Sequence, residues 1–299
     1  MGARRMKRDI ALDLVFPALA KIPTALPWRL AAYTVQDQAL VVWLQALFQR
    51  VFPEAAPANC ADWARAHLTM LAQEKVDAMA FHRLGRPGGP QIALQGVQHA
   101  ADLVQRGQGF ILILNHYDRL LTAPVALARA GVATNVLTMP VLNHPGLGGS
   151  ERRFLLDKIQ GYTQATRGIW HTTDQSLRVV HETLRAGQAW VILADAWSAE
   201  FTRLREHPFL DGYLRLPTGI ERLARSTGVP LLYAATRTLA PGRLEVRVES
   251  LAGSPEQAVD HAIQQLHADV RERPWAWWHW GLWEQMWHPA REEEKRDAH

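Results

Sequence analysis

Phe110-Ile111-Leu112-Ile113-Leu114 runs directly into Asn115-His116-Tyr117-Asp118-Arg119, and these ten residues set the reading of the chain. Consecutive apolar residues without polar alternation are the pattern of a strand covered on both faces, as in parallel sheets flanked by helices. Thr134–Thr138 and residues 190–194 repeat the signature. Helical patterns lie around and between these runs at 96–106, 122–130, 151–160 and 174–186, the last opened by an Asp174 cap and closed by Gly187. Strands alternating with helices predict a mainly parallel sheet. Residues 231–236 and 244–248, joined through Ala240-Pro241-Gly242, predict an antiparallel hairpin at one edge, so the expected sheet is mixed. The expected fold class is α/β, a mixed, mainly parallel sheet flanked by helices, with a helical N-terminal region.

The joint between the two parts is the turn-rich stretch 83–90, with Gly85, Pro87, Gly88, Gly89 and Pro90. Before it, Leu68, Leu71, Val76 and Met79 recur at helical intervals within 63–82. The expected organisation is a helical region over 1–84 and an α/β body over 85–299, together one compact domain.

The chain has 299 residues, 48% of them apolar, which suits a large globular core and excludes disorder. Its net charge of +4 comes without a clustered Lys/Arg stripe, so no nucleic-acid partner is expected. Cys60, the single cysteine, excludes an internal disulfide and a zinc ribbon and favours a cytoplasmic chain. No stretch reaches the roughly 18 uninterrupted apolar residues of a spanning helix. Arg4, Arg5, Lys7 and Arg8 precede an apolar stretch over 10–20 that Asp13 and Pro17 interrupt. That arrangement reads either as a peripheral contact with the inner face of a membrane or as a helix packed on its own domain.

In open α/β sheets ligands bind beyond the carboxyl ends of strands. Two places therefore stand out: His116, just after Phe110–Leu114, and Asp195, just after 190–194. A histidine there has the chemistry of a general base, and a nearby carboxylate, Asp118 or Asp195, would fix its tautomer. The local alternative is a histidine that only hydrogen-bonds backbone. A metal site on His116 and Asp118 lacks a third ligand at a recognisable spacing, so no metal and no cofactor is expected. There is no nucleophile elbow, phosphate loop or dinucleotide fingerprint. Six of the 12 tryptophans fall within 275–287, a concentration that suits either core and acyl-pocket lining or a lipid-interface belt.

The order of motifs resembles the lysophospholipid acyltransferase superfamily, and within it the bacterial lipid A late acyltransferases. The residues that carry the likeness are His116 after its strand, Leu193-Ala194-Asp195, Pro208-Phe209-Leu210-Asp211-Gly212 and Pro217-Thr218-Gly219. Leu223-Ala224, Thr227-Gly228-Val229-Pro230 and Pro274-Trp275-Ala276-Trp277-Trp278-His279 complete the series, after a Phe52-Pro53-Glu54 that resembles the start of the family's helical region. The resemblance spans about 51–283. It implies acyl transfer from an acyl carrier protein or coenzyme A thioester to a hydroxyl or amine, with His116 deprotonating the acceptor and no covalent intermediate on the enzyme.

Two departures matter. The family's acid stands five positions after the histidine, where this chain has Leu121. Its paired arginines after the late histidine are here Trp280 and Gly281, which argues against a phosphorylated lipid A acceptor. The expected acceptor is a small amine or hydroxyl metabolite. A membrane lipid acceptor is the second reading, and a non-catalytic acyl or carrier-protein binding module the third. The expected site comprises His116, Asp118 and Asp195 for catalysis, with Asn115, Arg119, Arg153, Gly219, Trp277, His279 and Trp280 binding substrate. The expected pocket is mostly apolar and aromatic, floored by part of 275–283, with His116 at its mouth and few cations inside.

Overall fold

The computed structural model describes residues 2–34 and 37–290, with side chains from Met6 onward; the basic side chains of Arg4 and Arg5 and the last part of the body, 291–299, lie outside the described residues. The chain is α/β, and its main sheet has seven strands. In chain order the strands are β1 (Gln91–Gln95), β2 (Phe110–Leu114), β3 (Thr134–Thr138), β4 (Trp170–Thr172), β5 (Ala189–Leu193), β6 (Leu204–Phe209), β7 (Gly212–Pro217), β8 (Leu231–Ala240), β9 (Arg243–Leu251) and β10 (Trp287–Pro289). The main sheet is ordered β1-β9-β8-β2-β5-β3-β4, and only the β8–β9 pairing is antiparallel. A second sheet of three antiparallel strands, β10-β7-β6, stands apart from it.

Strand β2 shows why its five residues are all apolar. Ile111 and Ile113 point into one buried cluster, and Phe110, Leu112 and Leu114 point into the other. With period-2 alternation, a strand between two helical layers must be apolar at every position. Helices Gln38–Val51, Gly219–Thr227 and Pro255–Glu272 contribute to the first cluster, Thr122–Arg129 contributes Ala123, Val125, Ala126 and Leu127 to the second, and Pro57–Met79 contributes to both. Both clusters thus draw on residues from either side of the 83–90 joint. Gly89 is required there by close approach: a Cβ would stand 2.0 Å from the Arg83 carbonyl oxygen.

Three local expectations need correction. The helix expected over 174–186 begins only at Arg178, because the Asp174 carboxylate accepts from the Thr172 hydroxyl and the Asn143 amide instead of capping it. The β8–β9 hairpin is not at the sheet edge, since β1 pairs in parallel outside β9. The tryptophan spacing suits an extended piece at 275 and 277 and one helical face at 280, 283 and 287, but the segment is a chain of short turns over Pro274–Ala276, His279–Leu282 and Trp283–Met286, ending in β10. Among the described residues, no helix is long and apolar enough to cross a membrane.

Candidate functional site

The parallel pairing of β2 with β5 puts Leu114 opposite Leu193. His116 and Asp195 each lie two residues beyond those partners, so register alone brings the two polar residues level at the carboxyl edge of the sheet. The backbone N–H of His116 donates to both Asp195 carboxylate oxygens, at 2.9 and 3.0 Å, and the ring Nδ1 lies 3.0 Å from Asp195 Oδ1. Trp277 Nε1–H donates to Asp195 Oδ2 at 2.9 Å. A carboxylate ringed by donors selects the His116 tautomer with the proton on Nδ1, which leaves Nε2 as the basic nitrogen.

Burial alone would raise the Asp195 carboxyl, but the His116 and His279 rings and the Trp277 indole outweigh it and hold the group down at about 2. His279 enters from the tryptophan segment, with Nε2 2.8 Å from His116 Nδ1 and 3.9 Å from Asp195 Oδ2. Burial and the neighbouring His116 push His279 down to about 3, against the pull of Asp195, so it is a neutral ring beside the carboxylate. The ligand atoms of His116, Asp195 and His279 all lie within 4.8 Å of one another, a set able to hold a cation. Their hydrogen bonds already satisfy one another, and the chemistry derived below uses no ion.

His116 and His279 line a cavity of about 990 Å3 whose surface is predominantly apolar. Leu121, Ile192, Trp197, Ile220, Leu223 and Trp278 form part of its wall. Leu121, where the resemblance would place an acid, is 6% exposed and contributes carbon surface to the cavity. An apolar cavity with aromatic lining is therefore present, and Trp278 is the tryptophan of 275–283 that reaches it, beside Trp170 and Trp197 from elsewhere in the chain. The expectation of few cations inside needs correction: Lys158, Arg222 and Arg225 line the cavity. Lys158 is tied to Glu74 at 2.5 Å with its ammonium 5.6 Å from the Trp278 ring centroid, and Arg225 pairs with Glu256.

Several expected site residues serve the scaffold instead. The Asp118 carboxylate accepts from the Thr238 N–H at 2.7 Å, the Thr238 hydroxyl at 2.6 Å and Arg273 at 3.1 Å, and makes no hydrogen bond to the His116 ring. Its backbone is left-handed, at φ 48°, which turns the side chain toward β8. Arg119 points inward to a fully buried pair with Asp77 of the Pro57–Met79 helix. Asn115 is buried behind the sheet, donating to the Tyr233 hydroxyl and the Ala262 carbonyl. Arg153 pairs on the surface with Asp13. Trp277 and Trp280 lie in the core against each other, 5.0 Å between ring centroids, so only Gly219 and His279 of the expected binding residues face the cavity. Sequence reasoning missed Arg273 and Thr238, which hold the loop, and Lys158; none follows a strand run that would have signalled it.

Compared with protein-family models and with curated proteins, the chain matches none.

Proposed function

We propose that this chain is an acyltransferase that moves an acyl group from a carrier-protein or coenzyme A thioester to an amine or hydroxyl of a non-lipid-A acceptor. The observation that carries the reading is the His116–Asp195 pair opening onto a large apolar cavity. A thioester is already activated, so its enzyme needs a positioned base and a dry place for the chain. His116 Nε2 takes the proton from the acceptor N–H or O–H as the heteroatom bonds to the thioester carbonyl carbon. The tetrahedral intermediate collapses, the C–S bond breaks, and the imidazolium returns its proton to the departing thiolate. Asp195 stabilises the imidazolium between those steps, and His279 keeps the ring from rotating away.

The direct test is to incubate the protein with acyl carrier protein and coenzyme A thioesters and a panel of amine and alcohol acceptors, following thiol release and product mass. Thiol release that no acceptor accelerates supports the binding-module reading instead. The cavity adds a graded expectation. Each methylene moved out of water is worth about 0.8 kcal/mol, so the apparent KM should fall roughly three- to fourfold per added methylene until the cavity is filled. A KM that stays flat from four-carbon to twelve-carbon donors would show that the chain does not enter this cavity.

A membrane lipid acceptor is the second reading, and one feature favours it. Met6, Ile10 and Leu14 are exposed at helical intervals of four, and Tyr33, Val42 and Trp43 are exposed nearby in sequence. With Lys7, Lys21 and Arg29 on the same segment, this is the composition of a surface that rests on an anionic leaflet, and we place the protein in the cytoplasm, peripheral on the inner membrane. Co-sedimentation with phosphatidylglycerol vesicles, lost in Leu14→Glu, decides the matter; equal recovery in the supernatant with and without vesicles removes it.

A further inference from the structure

A second cavity, of about 850 Å3, lies behind the helix that walls the first. On Gly149–Thr166, Leu155, Lys158 and Ile159 face the apolar cavity, while Asp157, Gln160, Gly161 and Gln164 face the second. At 100° per residue these are opposite faces of one helix. The second cavity is a polar cleft, and cations dominate its charge: Arg86, Arg129 and Arg167 line it, with His82 beside them, against the carboxylate of Asp157.

The Arg129 and Arg167 guanidiniums are fixed without being neutralised. Arg129 donates through Nε and Nη2 to the Leu84, His82 and Phe81 carbonyls, and Arg167 donates through Nη2 to the Ala128 carbonyl. Carbonyl partners hold an arginine head in place and leave its charge intact, part of which offsets the helix C-termini they cap. Among the described residues, Nη1 of Arg129, Nε and Nη1 of Arg167, and the whole Arg86 side chain have no protein partner. The crowding has an electrostatic signature. Burial lowers Arg129, and Arg86 lowers it further; burial also lowers His82, with Arg83, Arg86 and Arg129 adding to the shift. An anion in the cleft would relieve both.

We infer that this cleft binds a phosphate ester of nucleotide size. The unused guanidinium donors match phosphate oxygens. A volume near the upper end of the small-molecule range leaves room for a sugar and base, whose polar edges the Gln160 and Gln164 amides suit. The inference goes beyond the acyl-transfer reading and stands without it, since neither His116 nor the apolar cavity takes part.

The test is titration calorimetry of the full chain with ADP, with inorganic phosphate, and with phosphatidylglycerol vesicles. Saturable ADP binding, tighter than that of phosphate, is expected. Arg86→Gln should weaken it about tenfold, and adding Arg167→Gln should weaken it further. Among the described residues Arg86 has no side-chain partner to lose, so its substitution leaves the fold intact and keeps the test decisive even where the double variant is unstable. The inference is overturned if ADP gives no heat at millimolar concentration, binds no better than phosphate, or binds equally well to Arg86→Gln. It is overturned equally if only the vesicles bind, which would make the cleft a headgroup site.

Discussion

His116→Ala should slow acyl transfer by about 100- to 10,000-fold, the usual cost of removing a positioned general base. The ring is partly exposed at the cavity wall, with 22% of its side chain accessible, so its loss leaves the sheet and both cores unaltered. Asp195→Asn should fall in the same range by a different route. Three donors, the His116 N–H, its Nδ1–H and the Trp277 indole, converge on the two carboxylate oxygens. A carboxamide has a single acceptor oxygen, so its NH2 must face at least one of them, and the tautomer with Nε2 free loses its support. That variant should also lose about 1–3 kcal/mol of stability for the unsatisfied buried donor. Asp118→Asn is the contrast. It weakens the bonds to Thr238 and Arg273 and costs stability, but it touches no hydrogen bond of the His116 ring. Steady-state rates with matched thermal melts separate the three. Full turnover by His116→Ala would eliminate the proposed mechanism, and a larger rate loss in Asp118→Asn than in Asp195→Asn would move the acid to the other side of the loop.

What could be read without the structure follows from burial. Strands β2 and β5 lie inside the sheet and between helical layers, so each residue answers to the same apolar demand and the run stands out, whereas β3, equally inside, carries buried Thr134 and Asn135 and leaves a weaker signature. Strand β1 is an edge with exposed Gln91, Ala93 and Gln95, β4 has three residues, and β6 carries Arg205, Glu206 and His207 in succession. None leaves an apolar signature to find. The two halves of the site could be located but not paired. His116 and Asp195 are 79 residues apart, and that β5 rather than β3 lies beside β2 is a matter of topology, not of local pattern. Proximity in sequence favoured Asp118 and Arg119 equally. A left-handed turn at Asp118 and a partner on the Pro57–Met79 helix then sent both side chains into the scaffold. The short spacing of the tryptophans said that they cluster; only the turns of 274–286 determine that Trp277 serves the carboxylate and Trp278 the cavity.

Acid should destabilise the fold well above the carboxylate range, because the interior holds neutral histidines. Burial pushes His67 down to about 4, against its hydrogen bond to the Trp275 carbonyl, and His279 down to about 3. His207 is pushed down as well, by burial and by Arg205, against Asp260. Each is a base whose folded value lies below its unfolded value near 6.5. Between the two values the unfolded chain holds more protons than the folded one, so stability is complete above about pH 6.5 and drains as pH falls toward the folded value. At pH 5, His67 and His279 together remove about 4 kcal/mol. Asp269 works the other way. Burial raises it to about 6, so the folded state gains its proton first and recovers roughly 1 kcal/mol over the same range. Asp195 enters only at the acid end: held down at about 2, it stabilises the fold above the unfolded carboxyl range and loses that contribution as pH drops from about 4 toward 2. For His67, His279 and Asp269 the balance at pH 5 is a loss of about 3 kcal/mol, which His207 deepens, a substantial part of the 5–15 kcal/mol that holds a typical domain together. Thermal melts should therefore fall by about 5–10 °C between pH 7 and pH 5. His67→Gln should flatten that slope, because its amide can still donate to the Trp275 carbonyl without carrying a titrating group. A melting temperature independent of pH over this range would mean that the interior accommodates charged imidazoles, and the account of His279 as a neutral ring beside Asp195 would fall with it.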